Sequence, residues 1–151
     1  MSTTHRSGNA PVRYFALILG IVYLLVGVLG FFPAALQPLG PAAPNLAVEA
    51  GYGRLLGLFP VNVLHNVVHL GVGLWGLLAY RSLGGSIGFA RGLAVFYGLL
   101  AVMGLFAGLN TTFGLIPIFG HDVWLHALTA LAAAYFGFML RGEYTTTTTR
   151  R

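Results

Sequence analysis

The chain has no cysteine and no lysine, and its only acidic residues are Glu49, Asp122 and Glu143. The missing cysteine excludes disulfides, thiolate metal sites and cysteine nucleophiles. Charged residues make up only 7% of the sequence. A soluble domain usually carries about 25%, and a chain this short of charge cannot cover a globule with solvated side chains. Catalytic constellations are also missing. There are no paired carboxylates, no phosphate-cradling loop and no serine suited to a nucleophile, so no enzymatic activity is expected.

What is present is apolar. Hydrophobic residues form 57% of the 151 positions, gathered into runs near the ~20 residues that cross a ~30 Å hydrocarbon core. Four spans can be drawn, at about 14–32, 61–80, 92–109 and 122–140. They are expected as helices, because open strands would leave backbone groups unpaired in lipid. The expected fold is therefore an all-α membrane domain over 14–140, between a cytoplasmic N-terminal segment 1–13 and a disordered tail 141–151. The first loop holds four of the seven prolines and should be irregular. The second should carry Arg81 and Arg91 around a Gly/Ser turn.

The net charge of +5 comes from eight arginines. They cluster at the ends of apolar runs, where they set topology and meet anionic headgroups; nucleic acid is not the expected partner. Arg6, Arg13, Arg81, Arg91, Arg141, Arg150 and Arg151 fall on one side and Arg54 on the other. The positive-inside rule then puts both termini in the cytoplasm, and the expected location is a bacterial inner membrane.

The sequence repeats itself. Gly57-Leu58-Phe59-Pro60-Val61 matches Gly114-Leu115-Ile116-Pro117-Ile118 at a shift of 57, which also places His69 on His126. A shift of 78 puts Arg13 on Arg91, Gly20 on Gly98 and Gly30 on Gly108. Two tandem two-helix units related by a pseudo-two-fold axis along the membrane normal would explain both shifts.

Span two carries Asn62, His65, Asn66 and His69, which fall within about a 100° arc at helical spacing. Asp122 and His126 hold corresponding positions in span four. Polar side chains facing lipid cost about 2.5–3.5 kcal/mol each, so this cluster should face the bundle interior. As a structural seam it would join the two repeats, with Asp122 accepting a hydrogen bond from His65. No cofactor is needed for that role. The alternative is a metal held by His65, His69, His126 and Asp122, or a haem ligated by His69 and His126. A proton or ion path is a third reading. Gly20, Gly27, Gly73, Gly76, Gly104 and Gly108 form small-residue stripes that let helices approach closely. They serve packing within the bundle or against a second copy or a partner membrane protein.

The segment GLFPVNVLHNVVHLGVGLWGLLAYRS and its echo GLIPIFGHDVWLH resemble an uncharacterised bacterial four-helix integral membrane family, domain of unknown function 4383. The resemblance covers about Arg13 to Arg141 and is most specific at Asn62, His65, Asn66 and His69. Phe119 and Val123 depart from it, standing where the family carries Asn. The resemblance implies the four-span fold and brings no activity.

Overall fold

The computed structural model describes residues 10–139; the start of the expected N-terminal segment and the expected tail 141–151 lie outside them. Among the described residues the chain is mostly helical. Four α-helices run α1 Ala10–Leu29, α2 Val63–Ala79, α3 Leu83–Gly104 and α4 His121–Ala134, and α4 continues as a wider π turn over Tyr135–Met139. Three are long and apolar enough to cross a membrane, counting α4 together with its π turn; α2, at 17 residues, is shorter.

α1 and α2 pack antiparallel through their glycines. A Cβ on Gly20 would lie 2.9 Å from the Leu77 nitrogen and 3.0 Å from the Gly73 oxygen, and one on Gly76 would lie 2.8 Å from the Ala16 oxygen. Gly27 meets Leu70 and the Asn66 carbonyl in the same way. Backbones this close leave no room for any other residue. α3 and α4 form a second antiparallel pair, in which Gly98 faces Ala130 and Gly137 faces Ala90 and Arg91. Two arginines fasten the pairs at one end. Arg13 Nε donates to the Tyr80 carbonyl at 2.9 Å, and Arg91 Nε to the Gly137 carbonyl at 2.8 Å. Their guanidinium carbons each lie 5.1 Å from an aromatic centroid, that of Tyr80 and that of Phe138.

α3 turns one continuous face inward. Ser86, Phe89, Ala90, Leu93, Tyr97, Ala101 and Gly104 recur at three- and four-residue steps and are all buried. Phe89, Ala90, Leu93 and Tyr97 pack with Phe15, Ala16 and Tyr23 of α1 and Ala133 of α4. The outward faces are apolar as well: Leu25, Val95, Leu128 and Leu131 are 65–69% exposed.

Two loop expectations need correction. The second loop is only the turn Tyr80–Ser82, and α3 begins nine residues before the expected 92. Arg91 therefore sits inside α3. Ser82 caps the helix by accepting from the Gly85 nitrogen at 3.0 Å, and the Ser86 hydroxyl donates back to Ala79 O and Ser82 O. These bonds hold a glycine-rich stretch helical. The first loop is not irregular throughout. It contains a three-stranded antiparallel sheet, β1 Leu36–Gln37, β2 Gly53–Leu55 and β3 Phe59–Val61, with β2 central.

The turn from β2 to β3 places Leu56 and Gly57 at φ 52° and 76°, with Leu58 N donating to Leu55 O at 3.0 Å. In the third loop, Phe113 and Gly114 take φ 60° and 85°, with Leu115 N donating to Thr112 O at 3.3 Å. Positive φ at both central residues is the type I′ turn, which suits glycine and asparagine better than leucine or phenylalanine.

Candidate functional site

Asn62 is fully buried and committed to structure. As the N-cap of α2, its Oδ1 accepts from His65 N at 3.0 Å. Its Nδ2 donates to Val48 O at 2.9 Å and Leu115 O at 2.7 Å, tying the first and third loops to the helix start. Asn66 lies one turn on, against Gly30, where a Cβ would overlap its amide. Both its amide atoms lack a hydrogen-bond partner.

His65 points toward α4. Its Nε2 lies 3.8 Å from Asp122 Oδ2, and His126 Nε2 lies 3.8 Å from the same oxygen. These are contacts, not hydrogen bonds, so the expected bond from His65 to Asp122 is not made. Asp122 does not cap its helix either: the N-cap is Gly120, with φ 66°. The residue stands in the first turn, where the helix dipole favours its charge. Asp122 is 2% exposed, His65 4% and His126 1%, and Oδ2 and the Nδ1 atoms of both histidines have no hydrogen-bond partner. Buried polar groups are normally paired, so this concentration of free valences calls for a chemical explanation.

One ligand-type atom from each of His65, Asp122 and His126 lies within 4.8 Å of the others. A tetrahedral ion at about 2.1 Å from N and O donors would hold them about 3.4 Å apart. The three must close by up to about 1.4 Å, within reach of side-chain rotation. His69 stands outside this group. Its ring packs 4.4 Å from His65 and 5.3 Å from Tyr23, and its Nδ1 is also unpaired.

Tyr97 was not singled out from the sequence. It lies in the interior of α3 with its ring 5.0 Å from His126 and 5.5 Å from Tyr23, and its buried hydroxyl has no partner. Its place in line with Leu93, Ala101 and Gly104 on the buried face of α3 was the available signal. Beside the histidines lies a cavity of about 210 Å³, bounded by α2, α3, α4 and the third loop.

The glycines divide. Gly20, Gly27, Gly73 and Gly76 lie at the α1–α2 contact, as described. Gly104 meets the Ile118 carbonyl and the Val123 side chain. Gly108 is a correction to the expected stripe: it lies beyond α3, is exposed, and a Cβ there would meet nothing within 4 Å. His121, off the polar stripe, is exposed.

No curated protein and no solved structure matches the chain. The family described as a domain of unknown function, DUF4383, matches residues 13–139. That match takes in all but the first three residues of the four helices, the loops between them and every residue of the buried cluster, and the chain belongs to the DUF4383 family.

Proposed function

We propose that this is a four-span membrane protein whose two halves are tandem repeats, and that it binds one divalent transition-metal ion between them. The observation that carries the metal is the unpaired Asp122 carboxylate oxygen between two buried imidazoles. Two histidines and one carboxylate form a donor set that suits zinc or iron(II) and leaves a coordination position open. A bare ion is favoured over haem, since about 210 Å³ is less space than a porphyrin needs. Aromatic rings also pack on His69 and His126, the expected axial pair.

Several features support the repeat. Arg13 to Tyr80 and Arg91 to Gly137 are equivalent bonds under the two shifts. Leu56-Gly57 and Phe113-Gly114 are equivalent turns at a shift of 57. That shift also carries His65 onto Asp122, so the proposed centre takes His65 from one half and its counterpart Asp122, with His126, from the other. The apolar outer faces support the membrane. Arg13, Arg81 and Arg91 gather toward the end of the bundle that carries the amino termini of α1 and α3, which favours that end as cytoplasmic, in a bacterial inner membrane.

The test is the metal content of protein purified in detergent without chelator, by mass spectrometry. One equivalent of zinc or iron is expected, falling to below a tenth in Asp122→Ala and His126→Ala and unchanged in His69→Ala. Less than a tenth of an equivalent of any transition metal, even after growth in supplemented medium, would overturn the reading. The other reading is a purely structural seam that needs no ion, and Asn62, with three satisfied bonds, favours it.

A further inference from the structure

The cavity beside the histidines opens sideways. Among the residues around it, Phe96 is exposed and Val68 and Leu100 are half-buried. Its mouth therefore lies between α2 and α3, on a flank whose neighbouring positions Val67, Val95 and Leu99 are exposed and apolar. Ile116 and Ile118 of the third loop roof it, and the rings of His65, His69 and His126 stand at its back.

The walls present carbon. The Nδ1 atoms of the three histidines and the Tyr97 hydroxyl are buried out of contact with the open space. The Thr112 hydroxyl is engaged in donating to the Ile116 carbonyl at 2.9 Å. A water molecule needs about two to four polar partners and finds none here. A charged or polar ligand would lose its hydration without replacement. An apolar cavity of about 150 Å³ stays dry and takes up benzene, and this one holds about 210 Å³. The Phe96 and Tyr97 rings, 5.2 Å apart and nearly perpendicular, offer an aromatic face and an edge.

Depth argues against the commonest apolar occupant, a phospholipid chain. Leu100 and Phe96 lie four and eight residues before the end of α3, about 6 and 12 Å along the axis. On the four-span reading the mouth then faces the interior of one leaflet of a ~30 Å core. Lipid chains at that depth run past the mouth, tethered to their head groups, and their free ends lie at the midplane.

We infer that the cavity is a binding site for a free, uncharged, apolar molecule of single-ring size, which enters sideways from the bilayer. The inference does not rest on the proposed ion, whose ligand atoms belong to His65, Asp122 and His126, so loss of the metal reading would leave it standing.

The test is photolabelling in nanodiscs with phenyl diazirine, an uncharged single-ring carbene precursor, with adducts mapped by mass spectrometry. Tyr97 and Ile118 are each 1% exposed, so only a reagent inside the cavity reaches them. Their labelling should saturate with dose and fall at least tenfold under excess toluene. Labelling at Val95 and Leu99, on the lipid-facing side, should do neither. Leu100→Trp, which obstructs the cavity, should cut the Tyr97 adduct at least tenfold, whereas Leu99→Trp should leave it unchanged. If Leu100→Trp unfolds, Val68→Met is the gentler obstruction and should cut it at least threefold. No adduct at Tyr97 or Ile118, or equal labelling of obstructed and Leu99→Trp proteins, would overturn the inference. So would a phospholipid with a chain-terminal diazirine that labels Tyr97 and is not displaced by toluene, since the lipid chain would then be the occupant.

Discussion

Asp122 and His65 come from different halves of the chain, yet their side chains stand 3.8 Å apart across α2 and α4. Removing one partner of a buried polar pair costs about 1–3 kcal/mol, although couplings measured inside membranes average nearer 0.6 kcal/mol. His65→Ala and Asp122→Ala should each destabilise the protein by about 1 kcal/mol, and the double variant should cost less than their sum. Thermal unfolding in detergent of all four proteins closes the cycle, and strict additivity would argue against coupling. The sequence identified these residues because helical periodicity determines which face a side chain takes. It did not reveal that the pair stands at 3.8 Å without a hydrogen bond, because separation depends on how far apart the helices are held. A second expectation at this scale concerns Leu56 and Phe113, left-handed and 61% and 76% exposed. That conformation costs an ordinary residue about 1–2 kcal/mol, and asparagine less. Leu56→Asn and Phe113→Asn should each raise stability by about 0.5–1 kcal/mol. A loss at both positions would mean that the side chains hold contacts worth more than the backbone strain.

Helix pairing was legible where glycines recur and was misread where they crowd. Gly20, Gly73 and Gly76 lie at a contact in which the two backbones nearly touch. Gly84, Gly85 and Gly88 read as a turn, yet all lie within α3. Their low helix propensity is overridden by the Ser82 cap and by a face that buries Ser86, Phe89 and Ala90. The sheet in the first loop was hidden for a related reason: strands of two and three residues are too short to show alternation. The contact geometry separates glycines that look alike in sequence. At Gly73 an added Cβ would lie 2.6 Å from Leu24 Cγ and 2.8 Å from the Gly20 oxygen. Gly73→Ala should therefore cost about 1–3 kcal/mol through overpacking. Gly108→Ala, in open space, should change stability by less than about 0.5 kcal/mol. Chemical denaturation in mild detergent compares the two, and equal effects would show that the α1–α2 contact is looser than described.

At the scale of the whole molecule the weak point of a four-span reading is α2, whose 17 residues measure about 25 Å. That falls short of a ~30 Å hydrocarbon core, though it lies within the range seen for spanning helices. Its length matters less than its pairing. α2 lies along α1 from Ala16 against Gly76 to Gly27 against Leu70 and Asn66, and Arg13 bonds its last turn at Tyr80. A helix held to its neighbour over that distance crosses whatever the neighbour crosses. If α2 lay along the surface instead, these contacts would have to break, leaving Asn66 without Gly30, just past the end of α1, and His69 without Tyr23 of α1. Reporter fusions make the distinction directly. Fusions after Pro44 and after Gly114, in the two long loops, should both report the periplasm, while a fusion after Ser82 should report the cytoplasm. Pro44 and Ser82 on the same side would mean that α2 does not cross. Pro44 and Gly114 on opposite sides would mean that the two halves do not enter the membrane in the same sense, and a metal centre built from matching positions of α2 and α4 would go with them.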